Sequence, residues 1–292
     1  MASLKEVKER IKSVSSTQQI TKAMKMVAAA KLRKAQDRTV QLRPYSEKLG
    51  ALLANVSSGH ADEGIDTYST AKEGGRVLVV AVTSDRGLCG AFNSNIFKGV
   101  RAFIQDQNID EDQVDVMPVG KKAFDFFKKG NMNLIDGYWE VFHDLTFENV
   151  RKGAEFAIEG FVNGDYSHVV IVYNEFKNVA TQIVRAEQFL PIVESAETEE
   201  STSNTDYIYE PSKEFIVEEL IPKSLKIQFY KAVLESNASE HGARMTAMGK
   251  ATDNAGELLK ELKLTYNRTR QAAITKEILE IVGGAEALAA DS

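Results

Sequence analysis

The sequence is poor in the residues that mark disulfide-bonded or metal-binding proteins. It contains a single cysteine, Cys89, which cannot form an internal disulfide and so favours a reducing compartment. The four histidines, His60, His143, His168 and His241, are scattered and show no metal-ligand spacing such as HExxH. We therefore predict neither a disulfide framework nor a metal site.

Long apolar runs are also missing. No stretch approaches the roughly eighteen apolar residues of a membrane span. The charged start, MASLKEVKER, lacks the apolar region of a secretory signal. We therefore expect no membrane-spanning helix and no signal peptide. The 292 residues are enough for one large domain or two modest ones.

Acidic residues are absent between Glu9 and Asp37. Residues 1–43 contain eleven Lys and Arg against three acids, a net charge of +8, while the whole chain has −6 and the remainder therefore −14. This asymmetry predicts an acidic partner, a membrane surface or nucleic acid as a binding surface. A nucleic-acid-binding helix would be expected to carry stacking groups, and residues 10–36 contain no aromatic residue. We therefore disfavour nucleic acid.

Coiled-coil periodicity dominates both ends of the chain. In residues 3–57 apolar residues recur at alternating spacings of three and four, a pattern typical of a long helix in a coiled coil. A short helix is predicted to open at Pro211, and a second long helix to run from Pro222, at its first turn, to about Leu288. The C-terminal helix is expected to be longer than its partner by about ten residues, or about 15 Å.

Polar residues interrupt the seam of the first helix at Gln18, Thr21 and Lys25, while Met24 lies off the seam. Apolar residues on several faces of a helix predict contacts from more than one side. We therefore expect residues 18–30 to be contacted by a partner other than the second helix.

The middle of the chain alternates between strands and helices. This order predicts a largely parallel sheet with helices on its faces. Residues 58–75 are predicted to be a polar linker, and Glu194–Asp206 a surface loop. Strands are predicted over 76–83, 114–119, 169–173 and, at an edge, 179–190, with helices over 93–107, 121–129 and 147–163.

The predicted fold class is α/β, with a long antiparallel two-helix coiled coil formed by both chain ends and an inserted Rossmann-like α/β domain. In domain terms, residues 1–57 and 211–292 form a discontinuous coiled-coil shaft. Residues 75–210 form a globular foot domain.

The turn from Thr83 to Gly90 follows a predicted buried strand, where a dinucleotide-binding loop would lie. Its glycines give only GxxG and not GxGxxG, which argues against a nucleotide-dependent oxidoreductase. The pair Gly249-Lys250 lacks the other residues of a phosphate loop and lies in a helix. The sequence offers no catalytic constellation, and we predict a non-catalytic chain without a cofactor.

Four segments resemble the gamma subunits of F-type ATP synthases. They are ITKAMKMVAAAKL at residues 20–32, DRGLCG at 85–90, ESNASEH at 235–241 and YNRTRQAAIT at 266–275. These motifs are long and specific, and the resemblance covers nearly the whole chain. It is therefore a strong indication of family.

The resemblance implies a rotor shaft that transmits torque from a membrane c-ring to a hexamer of three alpha and three beta subunits. Proton flow would thereby be coupled to ATP synthesis. The implied partners are alpha, beta, epsilon and the c-ring, with one copy of this chain per complex and no nucleic acid. Attachment to the cytoplasmic face of a bacterial inner membrane would be peripheral, through these partners.

The resemblance also implies contact residues. Those expected to contact beta on the shaft are Met24, Lys25, Arg270, Gln271 and Thr275. Those expected to contact the c-ring at the foot are Tyr207 and Glu210.

Overall fold

The computed structural model describes residues 3–57, 67–71, 74–192 and 213–290. The chain forms two compact units, one of Met1–Val27 with Met245–Ser292 and one of Ala28–Arg244. We call the first the coiled-coil unit and the second the sheet unit. Most of the predicted linker and the whole of the predicted loop Glu194–Asp206 lie outside the described residues.

Along the sequence, one long helix at each end of the chain flanks a set of shorter elements. In order these are α1 (Leu4–Ser57), β1 (Arg76–Val82), α2 (Phe92–Asp106), β2 (Val114–Val119), α3 (Lys121–Phe127), β3 (Asn133–Leu134), α4 (Phe147–Asn163), β4 (Tyr166–Phe176), β5 (Gln182–Leu190) and α5 (Lys213–Ala290). The predicted long helices, the α/β middle and the strand–helix alternation are confirmed. The two-residue strand β3 was not predicted.

The predicted helix break at Pro222 is wrong, because α5 continues through it as one helix from Lys213. A proline in a helix interior removes one backbone hydrogen bond and crowds the preceding turn. Tertiary packing offsets this cost here, since Ile221 and Leu225 on either side of the proline are buried against the sheet. α1 likewise continues through Pro44.

The described strands form one five-stranded sheet in the order β3-β2-β1-β4-β5. β1, β2, β3 and β4 pair in parallel, and β5 pairs antiparallel to β4 at the edge. The central strands are buried on both faces, which explains their continuous apolar sequences. Because the sheet order reverses at β1, the point between β1 and β4 is a topological switch point.

Each face of the sheet has its own apolar core. Helices α2 and α3 cover one face through side chains such as Ile96, Val100 and Phe127. Helix α4 and the first part of α5 cover the other, and Phe161 and Phe229 are among the largest fully buried side chains. The sequence assigned this part of α5 to the coiled coil alone, and its second role in the core was not predicted.

Within the coiled-coil unit, α1 and α5 run antiparallel. A methyl group in place of the Gly256 hydrogen would come 2.9 Å from Gln18 Nε2, and one at Gly249 would come 3.5 Å from Lys25 Nζ. Residue numbers therefore rise along α1 as they fall along α5. The Thr252 hydroxyl donates a hydrogen bond to Thr21 Oγ1 at 2.9 Å. The polar seam positions of the sequence are thus paired with polar or small residues of the other helix.

Candidate functional site

The coiled-coil unit exposes many large apolar side chains. On α1, Ile20, Met26 and Val27 are between 56% and 61% exposed. Contiguous exposed apolar surface on a soluble chain commonly marks an interaction site. Further examples on α5 are Leu258, Leu264, Ile274, Ile278, Leu279, Ile281 and Val282.

The last part of α5 continues beyond its intrachain partner. The antiparallel pairing of Gln18 with Gly256 and of Lys25 with Gly249 places Leu4, the start of α1, opposite about residue 270. α5 extends to Ala290, about 20 residues or 30 Å further. Every side chain described from Ile274 to Ala285 is exposed. This overhang is longer than the ten residues expected from the sequence, and its apolar stripe has no described partner within the chain.

We expect the amides of residues 274–288 to exchange hydrogen rapidly in the isolated chain and slowly in the assembled complex. A helix without tertiary packing is marginal in water, because packing supplies most of a helix's stability. The measurement is hydrogen exchange followed by mass spectrometry. Residues 229–239 of the same helix are largely buried and serve as the control, protected in both states. Strong protection of 274–288 in the isolated chain would contradict the expectation.

The predicted beta contacts lie at two levels of the coiled-coil unit. Met24 is half-buried, and Lys25 is exposed with its stem over Gly249. Arg270, Gln271 and Thr275 are exposed on α5, about 30 Å along the helix from Gly249. The structure does not bring the two groups together. Tyr207 and Glu210 lie outside the described residues, so the foot contacts stay a prediction.

The turn after β1 is tightly built. Ser84 N donates to Asn93 Oδ1 at 3.0 Å, and the Ser84 hydroxyl donates to the carbonyl oxygen of Arg86 at 2.7 Å. Asp85 Oδ1 accepts a hydrogen bond from the backbone N of Lys121 at 3.0 Å. Gly120, which precedes Lys121, has φ +107°. A Cβ at this position would come 2.4 Å from the Thr83 carbonyl oxygen, so only glycine fits without a shift of the backbone. The polar residues of the motif are thus used to hold the turn.

Helix α5 is anchored to this turn by Arg244. Its Nη2 donates to the carbonyl oxygens of Arg86 at 2.9 Å and Gly87 at 3.2 Å, and its Nη1 pairs with Glu240. The side chains of Arg244 and Glu240 are only 13% and 9% exposed. In related open α/β folds a ligand lies outside the strand ends at the switch point. Here the chain's own helix binds the turn that follows β1, which agrees with the absence of a dinucleotide motif.

Sequence reasoning missed this anchor as a functional feature. The available signal was the spacing of Glu240 and Arg244, four residues apart on one helix. The spacing alone indicates an exposed helix pair of small effect. Only the fold shows that the pair is buried.

His241 lies beside the anchor and is buried in its neutral form. Burial, with smaller effects from Arg244 and Lys31, lowers the pKa of His241 from 6.5 to about 4. Because the folded pKa lies below the unfolded one, the neutral histidine favours the fold above pH 6.5, and this contribution is lost as the pH falls toward 4. Burial raises the pKa of Glu240, which acts in the opposite direction on acidification.

We therefore expect His241→Gln to lose less stability than the unsubstituted chain when the pH falls from 7.5 to about 4.5. The measurement is the urea midpoint of the isolated chain at several pH values. Glu240 is present in both proteins, so its titration largely cancels in the comparison. His143→Gln, at an exposed histidine, should follow the unsubstituted chain. Equal pH dependence of His241→Gln and the unsubstituted chain would exclude this role for His241.

Over the described residues, no group of three or more His, Cys, Asp or Glu could hold a metal ion. A search of the same residues finds no helix long and apolar enough to cross a bilayer.

Comparison with known proteins gives a consistent result. A family model described as ATP synthase matches residues 3–288. The chain is 57% identical over 293 residues to the ATP synthase gamma chain of Cytophaga hutchinsonii and 56% identical over 288 residues to that of Flavobacterium psychrophilum. Each alignment covers 99% of both chains.

Solved structures show the same fold. A chain of the Euglena gracilis mitochondrial ATP synthase aligns with a TM-score of 0.66 at 24% identity, over 98% of this chain and 95% of that one. A chain from the central stalk and c-ring of the Tetrahymena thermophila mitochondrial ATP synthase aligns with a TM-score of 0.57 at 24% identity. This alignment covers 80% of this chain and 99% of the Tetrahymena chain. The family model and the full-length sequence identities show that the chain belongs to the ATP synthase gamma chain family.

Proposed function

We propose that the chain is the rotor shaft of a proton-translocating F-type ATP synthase and transmits torque from a membrane c-ring to a hexamer of alpha and beta subunits. Membership of the gamma chain family and the rotor context of the similar solved structures support this proposal. The chain itself is a non-catalytic subunit. The proposed assembly has three alpha subunits, three beta subunits, epsilon, the c-ring and one copy of this chain.

The overhang of α5 is the observation that carries the proposal. Its apolar side chains are exposed over Ile274–Val282 and have no described partner in the chain. At about 100° per residue these side chains fall on one broad face of the helix, with Lys276, Glu277 and Glu280 on the other. A subunit of the alpha and beta hexamer that packs against this face would bury them.

The basic surface of α1 supplies the second element of the proposal. Lys22 and Lys25 are exposed in the coiled-coil unit, and the sequence places no acid near them on α1. An acidic partner surface would be attracted to this region and could press on it during rotation. We propose that beta contacts the chain at Met24 and Lys25 of α1. A second contact with beta would involve Arg270, Gln271 and Thr275, about 30 Å further along α5.

We also propose that the chain has two parts with different roles. The shaft consists of residues 1–57 and 211–292, and the foot consists of residues 75–210. In this proposal Tyr207 and Glu210 contact the c-ring, and the chain lies peripherally at the cytoplasmic face of a bacterial inner membrane. Torque would act by conformational coupling, because an asymmetric shaft contacts the three beta subunits differently and so biases their nucleotide affinities.

Reconstitution tests the proposal. The isolated chain should hydrolyse no ATP, and vesicles containing alpha, beta, epsilon and the membrane sector should pump protons with ATP only when this chain is added. The matched control omits the chain and keeps every other subunit. ATP hydrolysis by the pure chain that is lost on substitution of Gly87 or Gly90 would contradict the proposal, as would full coupling without the chain.

A further inference from the structure

A cleft of about 640 Å³ opens next to the anchored turn of the sheet unit. Its walls come from α1, the turn after β1, the start of α3, the turn before α4 and the middle of α5. It lies at the carboxyl ends of β1 and β2, the edge at which open α/β sheets bind ligands. The helix anchor occupies the turn itself but leaves this neighbouring space open.

Besides Arg244, three cations from three different elements line the cleft. They are Lys31 of α1, Arg86 of the turn and Lys121 of α3. None of their side chains forms an ion pair within 4 Å among the described residues. Cations that converge from separate elements without partners can surround an anion and share its charge.

The acids of the cleft do not balance these cations. Glu240 is paired with Arg244, and Asp85 accepts the backbone hydrogen bond of Lys121. Glu140 is the third acid in the lining. In formal charge, the four cations Lys31, Arg86, Lys121 and Arg244 exceed the three acids of the lining by one.

We propose that this cleft binds a small phosphate-type anion between Lys31, Arg86 and Lys121. A compact anion suits the site because cations from three separate elements line one cleft and not one long groove. An acidic peptide would instead need an extended groove with cations along its length. The site goes beyond the proposed rotor function and lies in the sheet unit.

The cleft contains its own reporter. Trp139, the single tryptophan of the chain, is among its lining residues. Titration of the isolated full-length chain with pyrophosphate should therefore change its tryptophan fluorescence saturably. Sodium chloride at equal ionic strength should not reproduce the change. Inorganic phosphate should bind at the same site more weakly because it carries less charge.

Charge-removing variants assign the site. Lys31→Gln with Lys121→Gln should raise the dissociation constant for pyrophosphate at least about tenfold, since hydrogen bonds to charged groups are among the stronger ones. The matched control, Lys98→Gln with Lys129→Gln, removes the same charge from exposed positions of the sheet unit outside the cleft and should leave binding unchanged. Circular dichroism checks that both variants are folded.

Several outcomes would overturn the proposal. They are no saturable change with pyrophosphate, an equal loss of affinity in both double variants, or saturable binding of a glutamate-rich peptide where pyrophosphate has no effect. The last outcome would identify the cleft as a protein-binding surface. Because the isolated chain is used, failure here is independent of whether the chain acts as a rotor.

Discussion

Arg244→Met is expected to destabilise the sheet unit by about 3–5 kcal/mol, since it leaves the buried Glu240 without its partner. The carbonyl oxygens of Arg86 and Gly87 lose their donor at the same time. For a chain of this size the melting temperature should fall by about 6–15 °C. The measurement is heat unfolding of the isolated chain followed by circular dichroism.

The effect of Arg244→Met should depend on pH. Burial already raises the pKa of Glu240, and Arg244 is the largest influence that lowers it. Without the arginine the folded pKa rises further above the unfolded value, so the carboxyl destabilises the fold as the pH rises above about 4.5. The variant should therefore be closer to the unsubstituted chain at pH 5 than at pH 8.

Two controls separate a buried charge from a lost contact. Arg244→Met with Glu240→Gln removes both charges and should recover most of the stability. Lys276→Met breaks the exposed pair with Glu280, which has the same spacing of four residues, and should cost about 0.5 kcal/mol or less. A melting temperature of Arg244→Met within about 2 °C of the unsubstituted chain would show that the anchor contributes little.

Lys22→Glu with Lys25→Glu is expected to slow assembly with alpha and beta about tenfold at low salt and to lower the coupling of the complex. Each exposed pair contributes at most about 1 kcal/mol, but several charges together set association rates and alignment. Reversal also places like charges against an acidic partner, so rotation should slip more often than with Lys22→Ala and Lys25→Ala. High salt should reduce the difference in assembly rate between the glutamate and alanine variants. The screening length is already only about 8 Å at physiological salt, and it becomes shorter as salt is added.

The measurement is ATP-driven proton pumping divided by ATP hydrolysis in reconstituted vesicles. Lys98→Glu with Lys129→Glu makes the same change in net charge at exposed positions of the sheet unit and should leave both quantities near their normal values. If the glutamate and alanine variants of Lys22 and Lys25 share one ratio and one assembly rate at low salt, the basic surface has no role in coupling.

The sequence alone determined the elements and the family. Coiled-coil spacing at both ends and buried apolar runs such as RVLVVAV are local patterns with a fixed period, so they predict helices and strands before any contact is known. The basic charge of residues 1–43 also follows from the sequence. The long motifs that contain Met24, Arg270 and Gln271 indicated the gamma family, and full-length identity above 50% confirms it.

Only the tertiary structure decided what the same residues do in the fold. Pro222 predicts a helix start by its local chemistry, yet α5 passes through it because Ile221 and Leu225 are buried on the sheet. Glu240 and Arg244 read as a weak surface pair, yet the packing of α5 on the turn after β1 removes them from water. Burial and long-range pairing join residues far apart in the chain, and no local period encodes them. The overhang of α5 is likewise a tertiary feature. The antiparallel register places the start of α1 opposite about residue 270, and α5 continues beyond that point.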